Sequence, residues 1–188
     1  MYFNSIGKIN TYDTAKLALK AATEKNIKHI VVASNQGDTA KAFINSEGSE
    51  GINFICVTHA HGYPEPGKSE MSPETREELI NWGIKVLTTT HVLSGAERGI
   101  SNAFGGAYPV EIIAHTLRML GQGTKVCVEV AIMALDAGLI PYGEPIIAVG
   151  GSARGADTAV IITPSHASSI FKTKIHEIIC KPACYVSK

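Results

Sequence analysis

Apolar positions along the chain follow two patterns. Short, nearly unbroken apolar runs, His29–Ser34 and Phe54–Thr58, predict strands covered on both faces rather than strands with one wet face, and Lys85–Thr90 reads as a third strand. Between them the spacing turns helical. Thr11–Asn26 gathers Ala15, Leu17, Ala18, Ala21 and Ala22 on one side, with Asn10 or Thr11 as its cap, and Asp38–Asn45 begins a second helix. Ser72-Pro73-Glu74 combines a cap, a proline at the first helical position and an acid in the first turn, and that helix ends near Gly83. SGAERGISNAFGG reads as a short helix ended by its double glycine. Pro109–Leu120 is amphipathic and stops at Gly121 and Gly123. Thr124–Ala137 is apolar nearly all round except at Lys125, Glu129 and Asp136, which predicts an interior helix terminated by Gly138. Within Ile146–Thr163 two apolar strands flank a loop of small residues, and Ile175–Cys180 predicts a last, edge strand closed by Pro182. The stretch between Ile162 and Ile175 carries no pattern that assigns it.

Strands alternating with helices predict an α/β fold with a mostly parallel sheet covered on both faces. No repeat, linker or low-complexity tract divides the chain, so residues 1–188 are expected to form one domain. At 188 residues, 45% of them apolar, the chain can bury a substantial core. A formal net charge of zero, with no basic run, makes nucleic acid and anionic membrane surfaces unexpected partners. No apolar run is long enough to span a bilayer, and Met1-Tyr2-Phe3-Asn4 does not open a signal peptide, so a cytoplasmic location is expected. The small-residue helices and neutral charge also fit a homo-oligomer. The four cysteines, Cys56, Cys127, Cys180 and Cys184, lack zinc-ligand spacing and are read as buried or inert thiols.

In an open α/β sheet, ligands bind beyond the carboxyl ends of the parallel strands. Four polar stretches are expected there: Ser34–Thr39, Thr58–Gly62, Thr88–Gly95 and Gly150–Thr158. The first, Ser34-Asn35-Gln36-Gly37-Asp38-Thr39, leads directly into a helix whose start suits a phosphate: Gly37 admits close approach and Ser34 and Thr39 offer hydroxyls, while Asp38 repels an anion unless it turns away to cap the helix. It lacks the lysine of a nucleotide-triphosphate loop. The fourth, with Gly150, Gly151 and Gly155, is larger than a turn between two strands needs, and carries one cation, Arg154, and one carboxylate, Asp157. His59, His61 and His91, with or without His166, raise a metal reading. His59 and His61, two apart on an extended segment, face opposite ways, and no carboxylate cluster completes a ligand set, so no metal is assigned. Glu129 is read as the partner of a buried cation in preference to a ligand contact.

These residues resemble a known family. Strand, Ser34-x-x-Gly37-x-Thr39-Ala40 and helix are similar to the first strand and effector-phosphate loop of the pyruvate kinase C-terminal domain, and AVGGSARGADT is similar to its last glycine loop. VTHAHGYPEPGK, TTTHVLSGAERGIS, FGGAYPVEIIAHTLRMLGQGTKVCVE and AVGGSARGADTA extend the resemblance over most of the chain, to stand-alone archaeal and bacterial pyruvate kinase alpha/beta-domain proteins. The spacing of the first loop is also similar to the FMN-phosphate loop of flavodoxins. The resemblance implies a three-layer α/β/α fold with a five-stranded sheet whose last strand is antiparallel, and members that carry FMN. It does not imply phosphoryl transfer from phosphoenolpyruvate, whose residues belong to a barrel domain that these residues do not contain. The leading expectation is therefore a binder of a phosphate-bearing small molecule, FMN. Ser34, Gly37 and Thr39 take its phosphate, with Asn35 beside them and Asp38 contributing only if its carboxylate turns away to cap the helix; Gly150, Gly151, Ala153 and Arg154, next to Gly155, lie along the ribityl chain or ring, and Thr58, His59, Thr90 and His91 sit on the rim. Such a protein could serve as a flavin-dependent oxidoreductase. The alternatives are a regulatory module for a sugar phosphate or nucleotide, and a metal-dependent hydrolase built on the histidines.

Overall fold

The computed structural model describes residues 1–183; Cys184 lies outside them. In chain order the elements are β1 (Tyr2–Phe3), α1 (Thr11–Lys25), β2 (His29–Ala33), α2 (Asp38–Ile44), β3 (Asn53–Val57), α3 (Pro73–Asn81), β4 (Lys85–Leu87), α4 (Gly95–Phe104), α5 (Pro109–Arg118), α6 (Gln122–Asp136), β5 (Ile146–Gly150), β6 (Thr158–Thr163) and β7 (Lys174–Pro182). The seven strands form one sheet in the order β1-β7-β6-β5-β2-β3-β4.

The expected α/β class and two-faced burial hold. One core lies between the sheet and α1, α2 and α3, built on Leu19, Ile30, Phe43, Phe54, Leu79 and Ile147. The other lies under α6, where Cys127, Ile132 and Leu135 meet Val31, Ile55, Ile146 and Ile162. Buried throughout almost its whole length, α6 is the interior helix that its composition predicts.

Two details of the sheet differ from expectation. It has seven strands rather than five, because Tyr2–Phe3 adds a two-residue edge strand beside β7, too short to leave a periodic signal. The predicted edge strand β7 is therefore an inner one. The antiparallel strand is also not the last: β5 and β6 form a hairpin with Ile146 opposite Ile162 and Gly150 opposite Thr158, and β7 then reverses once more. Among the described strands only β6 opposes the others, since β2 pairs in parallel with both β3 and β5, and β4 in parallel with β3. The unassigned stretch contains a 3-10 turn, Ala167–Lys172, tied to α6 where the Ala167 N–H donates to Asp136.

Helix starts follow local chemistry unevenly. Ser72 caps α3 as predicted, accepting from the Thr75 N–H at 3.2 Å. Asn10 precedes α1 but does not cap it; its side-chain amide instead donates to the Ser5 carbonyl at 2.8 Å. Among the described residues no helix is long and apolar enough to cross a membrane.

Candidate functional site

The strand order reverses between β2 and β5: the chain grows outward from β2 through β3 to β4, then returns to add β5 on the opposite side. Beyond the carboxyl ends at such a switch point the two following loops must part, and a crevice is left. A cavity of about 460 Å³ lies there, on the side of the sheet covered by α1 and α2. That volume falls within the usual range for small-molecule sites.

Both small-residue loops reach it. Ser34, Asn35, Asp38 and Thr39 line it from the first loop, and Arg154 and Gly155 from the glycine loop. Arg154 spans the gap, its Nη1 donating to Gln36 Oε1 at 2.5 Å. The partner is neutral, so the guanidinium charge is not cancelled. Lys8 and Lys41 add two ammonium groups to the wall, Lys41 already paired with Glu78 at 2.5 Å.

The Ser34 hydroxyl has an internal role. Its oxygen accepts from the Thr39 and Ala40 N–H groups at 3.2 and 3.4 Å, so it satisfies amides that the sequence reading offered to a phosphate. Helix α2 is only seven residues long, so its dipole adds little. The wall's charged groups are Lys8, Lys41 and Arg154 and the carboxylates Asp38 and Glu70, the last paired with His59.

Several glycines in the two loops are required by protein packing. At Gly37 φ is +95°, and a Cβ would stand 2.6 Å from Thr75 Cγ2 of α3. At Gly155 φ is +79°, and a Cβ would stand 2.4 Å from Thr11 Oγ1 and 2.6 Å from Lys8 Cα. The glycine loop is thus pressed onto the entry to α1, where the Ala156 N–H donates to Thr11 Oγ1 at 3.1 Å. Asp157, fully buried, organises the loop: Oδ2 accepts from the Gly7 and Ser152 N–H groups at 2.9 and 3.1 Å, and Oδ1 from the Thr158 hydroxyl at 2.8 Å. Gly150 and Gly151 do not line the cavity. Gly150 packs beneath α6, facing Gly123 and Val126, and Gly151 lies against the carbonyl of Gly155. Ala153 is exposed beside Arg154 and is not part of the wall.

The four expected rim residues, Thr58, His59, Thr90 and His91, lie outside the cavity wall. Three of them belong to a polar network at the ends of β3 and β4, and Thr90 is exposed beside Gly95. His59 Nδ1 pairs with Glu70, and His59 Nε2 lies 3.2 Å from Asn35 Nδ2. Glu70 and Asn35 both line the cavity, so the network abuts it through them. His91 sits 5.5 Å from His59 between ring centres, with Nε2 3.2 Å from the Thr58 carbonyl and Nδ1 3.8 Å from Glu129. Both nitrogens of His59 and Nε2 of His91 thus have protein partners within hydrogen-bond distance, whereas His91 Nδ1 stands beyond it from Glu129. His61 is exposed and outside the network. Among the described residues no group of three or more His, Cys, Asp or Glu is placed to hold a metal.

Glu129 has the partner expected of it. It pairs with Lys125 one turn earlier, and Oε1 accepts from the Leu93 N–H at 3.0 Å. Burial pulls the Lys125 ammonium below its ordinary pKa, against the pull of Glu129, with Arg118 and Arg98 adding to the lowering. The three described cysteines are buried; burial pushes the Cys56 thiol up to about 12 and Cys180 to about 11, and raises Cys127 as well. All three stay protonated at neutral pH, as inert thiols should.

Residues 13–162 match the family model described as "Pyruvate kinase, alpha/beta domain". The chain belongs to that family. Among solved structures it is similar to a pyruvate kinase from Cryptosporidium parvum at 19% identity, over 82% of this chain and 23% of that one, with a TM-score of 0.42. A second structure of pyruvate kinase from that organism, in complex with ADP, matches at 18% identity over 92% and 24% of the two chains, with a TM-score of 0.40. The chain spans about a quarter of the length of these enzymes.

Lys8, Thr11, Tyr12, Lys41, Asn45 and Glu70 also line the cavity and were not read from the sequence as site residues. Gln36 had a signal, since it lies inside the first loop. Lys8, Thr11 and Tyr12 had none, because only the fold brings the entry to α1 against the glycine loop.

Proposed function

We propose that this protein binds a phosphate-bearing small molecule, FMN, in the cavity between the two loops. The carrying observation is the Arg154–Gln36 bridge: it joins the two loops at the topological switch point and leaves a cation of uncancelled charge on the wall. Arg154 and Lys8 receive the phosphate, with Thr39 and Asn35 as polar neighbours on the same wall. The remainder of the ligand lies along Thr11, Tyr12 and Asn45 rather than over Gly150, Gly151 or His91, since those three lie outside the wall. A bound flavin would supply redox chemistry, but no residue is assigned here to a reaction, so the proposal is one of binding.

Titration of the purified chain with FMN and with riboflavin, followed by flavin fluorescence, tests it. FMN is expected to bind at least about tenfold more tightly, the least that one lost charge-assisted hydrogen bond would remove. Equal affinities remove the phosphate from the cavity. Binding of a sugar phosphate or nucleotide in place of FMN moves the protein to the regulatory reading.

A further inference from the structure

Three side chains at the edge of the cavity form a chain whose hydrogens follow by elimination. His59, two residues past β3, pairs through Nδ1 with Glu70, and its Nε2 lies 3.2 Å from Asn35 Nδ2. An ionised carboxylate only accepts, so Nδ1 carries the ring hydrogen. An amide nitrogen only donates, so Nε2 is bare and accepts from Asn35. The ring is neutral in this arrangement, and it is held from both sides: Tyr63 stands edge-on at 4.5 Å and His91 at 5.5 Å between ring centres. Asn35 is held too. The N–H of its neighbour Ser34 donates to the Val57 carbonyl at 2.9 Å, which ties the loop to the end of β3 and leaves the amide free only to turn about its own bond. Glu70 and Asn35 line the cavity, and His59 does not. With Nδ2 directed at the ring, the end of the amide turned away from the ring is its acceptor oxygen.

We infer that His59 is a positioning residue for the ligand: an anion entering the cavity turns the Asn35 amide over and draws a proton onto His59. The inference rests on the proposed binding of a phosphate at this wall. One proton comes from solvent and bonds to Nε2. Asn35 Oδ1 then accepts from Nε2–H, and the amide NH2 is released to donate to the phosphate. Two effects act in the same direction. The amide offers donors where it had offered an acceptor, and the imidazolium offsets the Glu70 carboxylate, which otherwise faces the anion with its full charge.

The surrounding charges leave this role to His59. On the wall, Lys8, Arg154 and Asp38 keep one charge state in both arrangements, and Lys41 is tied to Glu78. From α3, Arg76 is spent on Thr88 and the Val86 carbonyl. From the end of β4, His91 faces His59, with Glu129 3.8 Å from its Nδ1 and Lys125 paired to that carboxylate. A proton on His91 opposes one on His59, so His91 limits the uptake and cannot imitate it. By reciprocity, a proton that favours the anion is favoured by it. Affinity therefore tightens as pH falls, by at most about tenfold per pH unit for one proton. The gain is complete below the pKa of the free ring and is lost as pH rises through that of the bound form. The second ionisation of a phosphate monoester, at about 6, acts against it, so the window for measurement lies above that value.

Calorimetric titration of the full chain with FMN at pH ~7.5, in two buffers of different ionisation enthalpy, counts the protons taken up. Wild type is expected to take up a measurable fraction of one proton, Asn35→Ala less, and His59→Gln none, with far-UV circular dichroism of both variants unchanged. Side-chain 1H–15N spectra of the wild-type ring are expected to show the neutral Nδ1–H form in the free chain and a hydrogen gained at Nε2 as FMN is added. A simple loss of packing at His59 would move neither readout in this way. FMN that binds without proton uptake, or with equal uptake in His59→Gln, overturns the inference and leaves flavin binding standing. A free ring already protonated on both nitrogens at that pH overturns it as well. FMN that does not bind at all overturns this inference together with the binding proposal.

Discussion

Replacing Glu129 by Gln removes one charge from the interior and leaves another behind. Glu129 is 2% exposed and Lys125 5%, so neither can turn to water without displacing the packing around α6. Gln keeps the length of Glu and can still accept from the Leu93 N–H, but its amide then presents N–H groups to an ammonium that can only donate. Removing one member of a buried ion pair costs about 3–5 kcal/mol. Taking about 3 kcal/mol, because Lys125 can respond by losing its proton, the melting temperature of a chain this size should fall by roughly 6–12 °C. The loss should depend on pH with a definite sign. Burial already holds the Lys125 pKa below its ordinary value, and Glu129 is the group pulling it back up, so the variant lowers it further. In the unfolded chain a lysine keeps a pKa of about 10.4. Between the two values the unfolded state binds more protons, and stability rises with pH. The deficit of Glu129→Gln against wild type should therefore be largest at neutral pH and shrink as pH rises through the wild-type Lys125 pKa, which itself lies below the unfolded value, so that it is smaller at pH ~10. Urea unfolding of both proteins at the two pH values measures it. A deficit below about 1 kcal/mol, within what an exposed pair is worth, would refute the reasoning; so would one that widens as pH rises.

Two substitutions in the glycine loop separate ligand contact from fold. Arg154→Ala is expected to weaken FMN binding by roughly tenfold to a hundredfold, the worth of one charge-assisted hydrogen bond, while the ligand-free melting curve stays nearly fixed because Arg154 is exposed and bonds only to exposed Gln36; an unchanged titration removes it from the site. Gly155→Val is expected to act on the fold itself, since its side chain would meet Thr11 and Lys8 at a backbone angle that β-branched residues avoid. A ligand-free melting temperature lowered by several degrees is expected, as for a loss of about 2 kcal/mol or more, and a melting curve equal to wild type would show that the loop can move away from α1.

The alternation of apolar strands and helices was enough to specify an α/β fold, and the reason is that its signals are local. A β-branched run such as HIVVA in β2, or the near-total apolarity of α6, reports burial on both faces without reference to any partner. Cap chemistry at Ser72 is local too, and the helix starts there. The ends of β2, β3, β4 and β5 carry the polar stretches expected of them, because loops at the carboxyl ends of these parallel strands must be polar wherever they meet water, whether they lead to a helix or, after β5, to the antiparallel β6. Tyr2–Phe3 was invisible because two residues have no period, and it is a strand only because β7 offers it an edge. The direction of β6 was likewise not written in its composition: an apolar run is the same read parallel or antiparallel, and the hairpin decided it. At the candidate site the sequence showed which residue types were small, hydroxylic or charged, but not what each one faced. Gly37 and Gly155 are glycines on account of α3 and the entry to α1, and Ser34 spends its hydroxyl on α2. Arg154 meets Gln36 across 118 positions of chain, a contact that exists only once β5 has been laid beside β2.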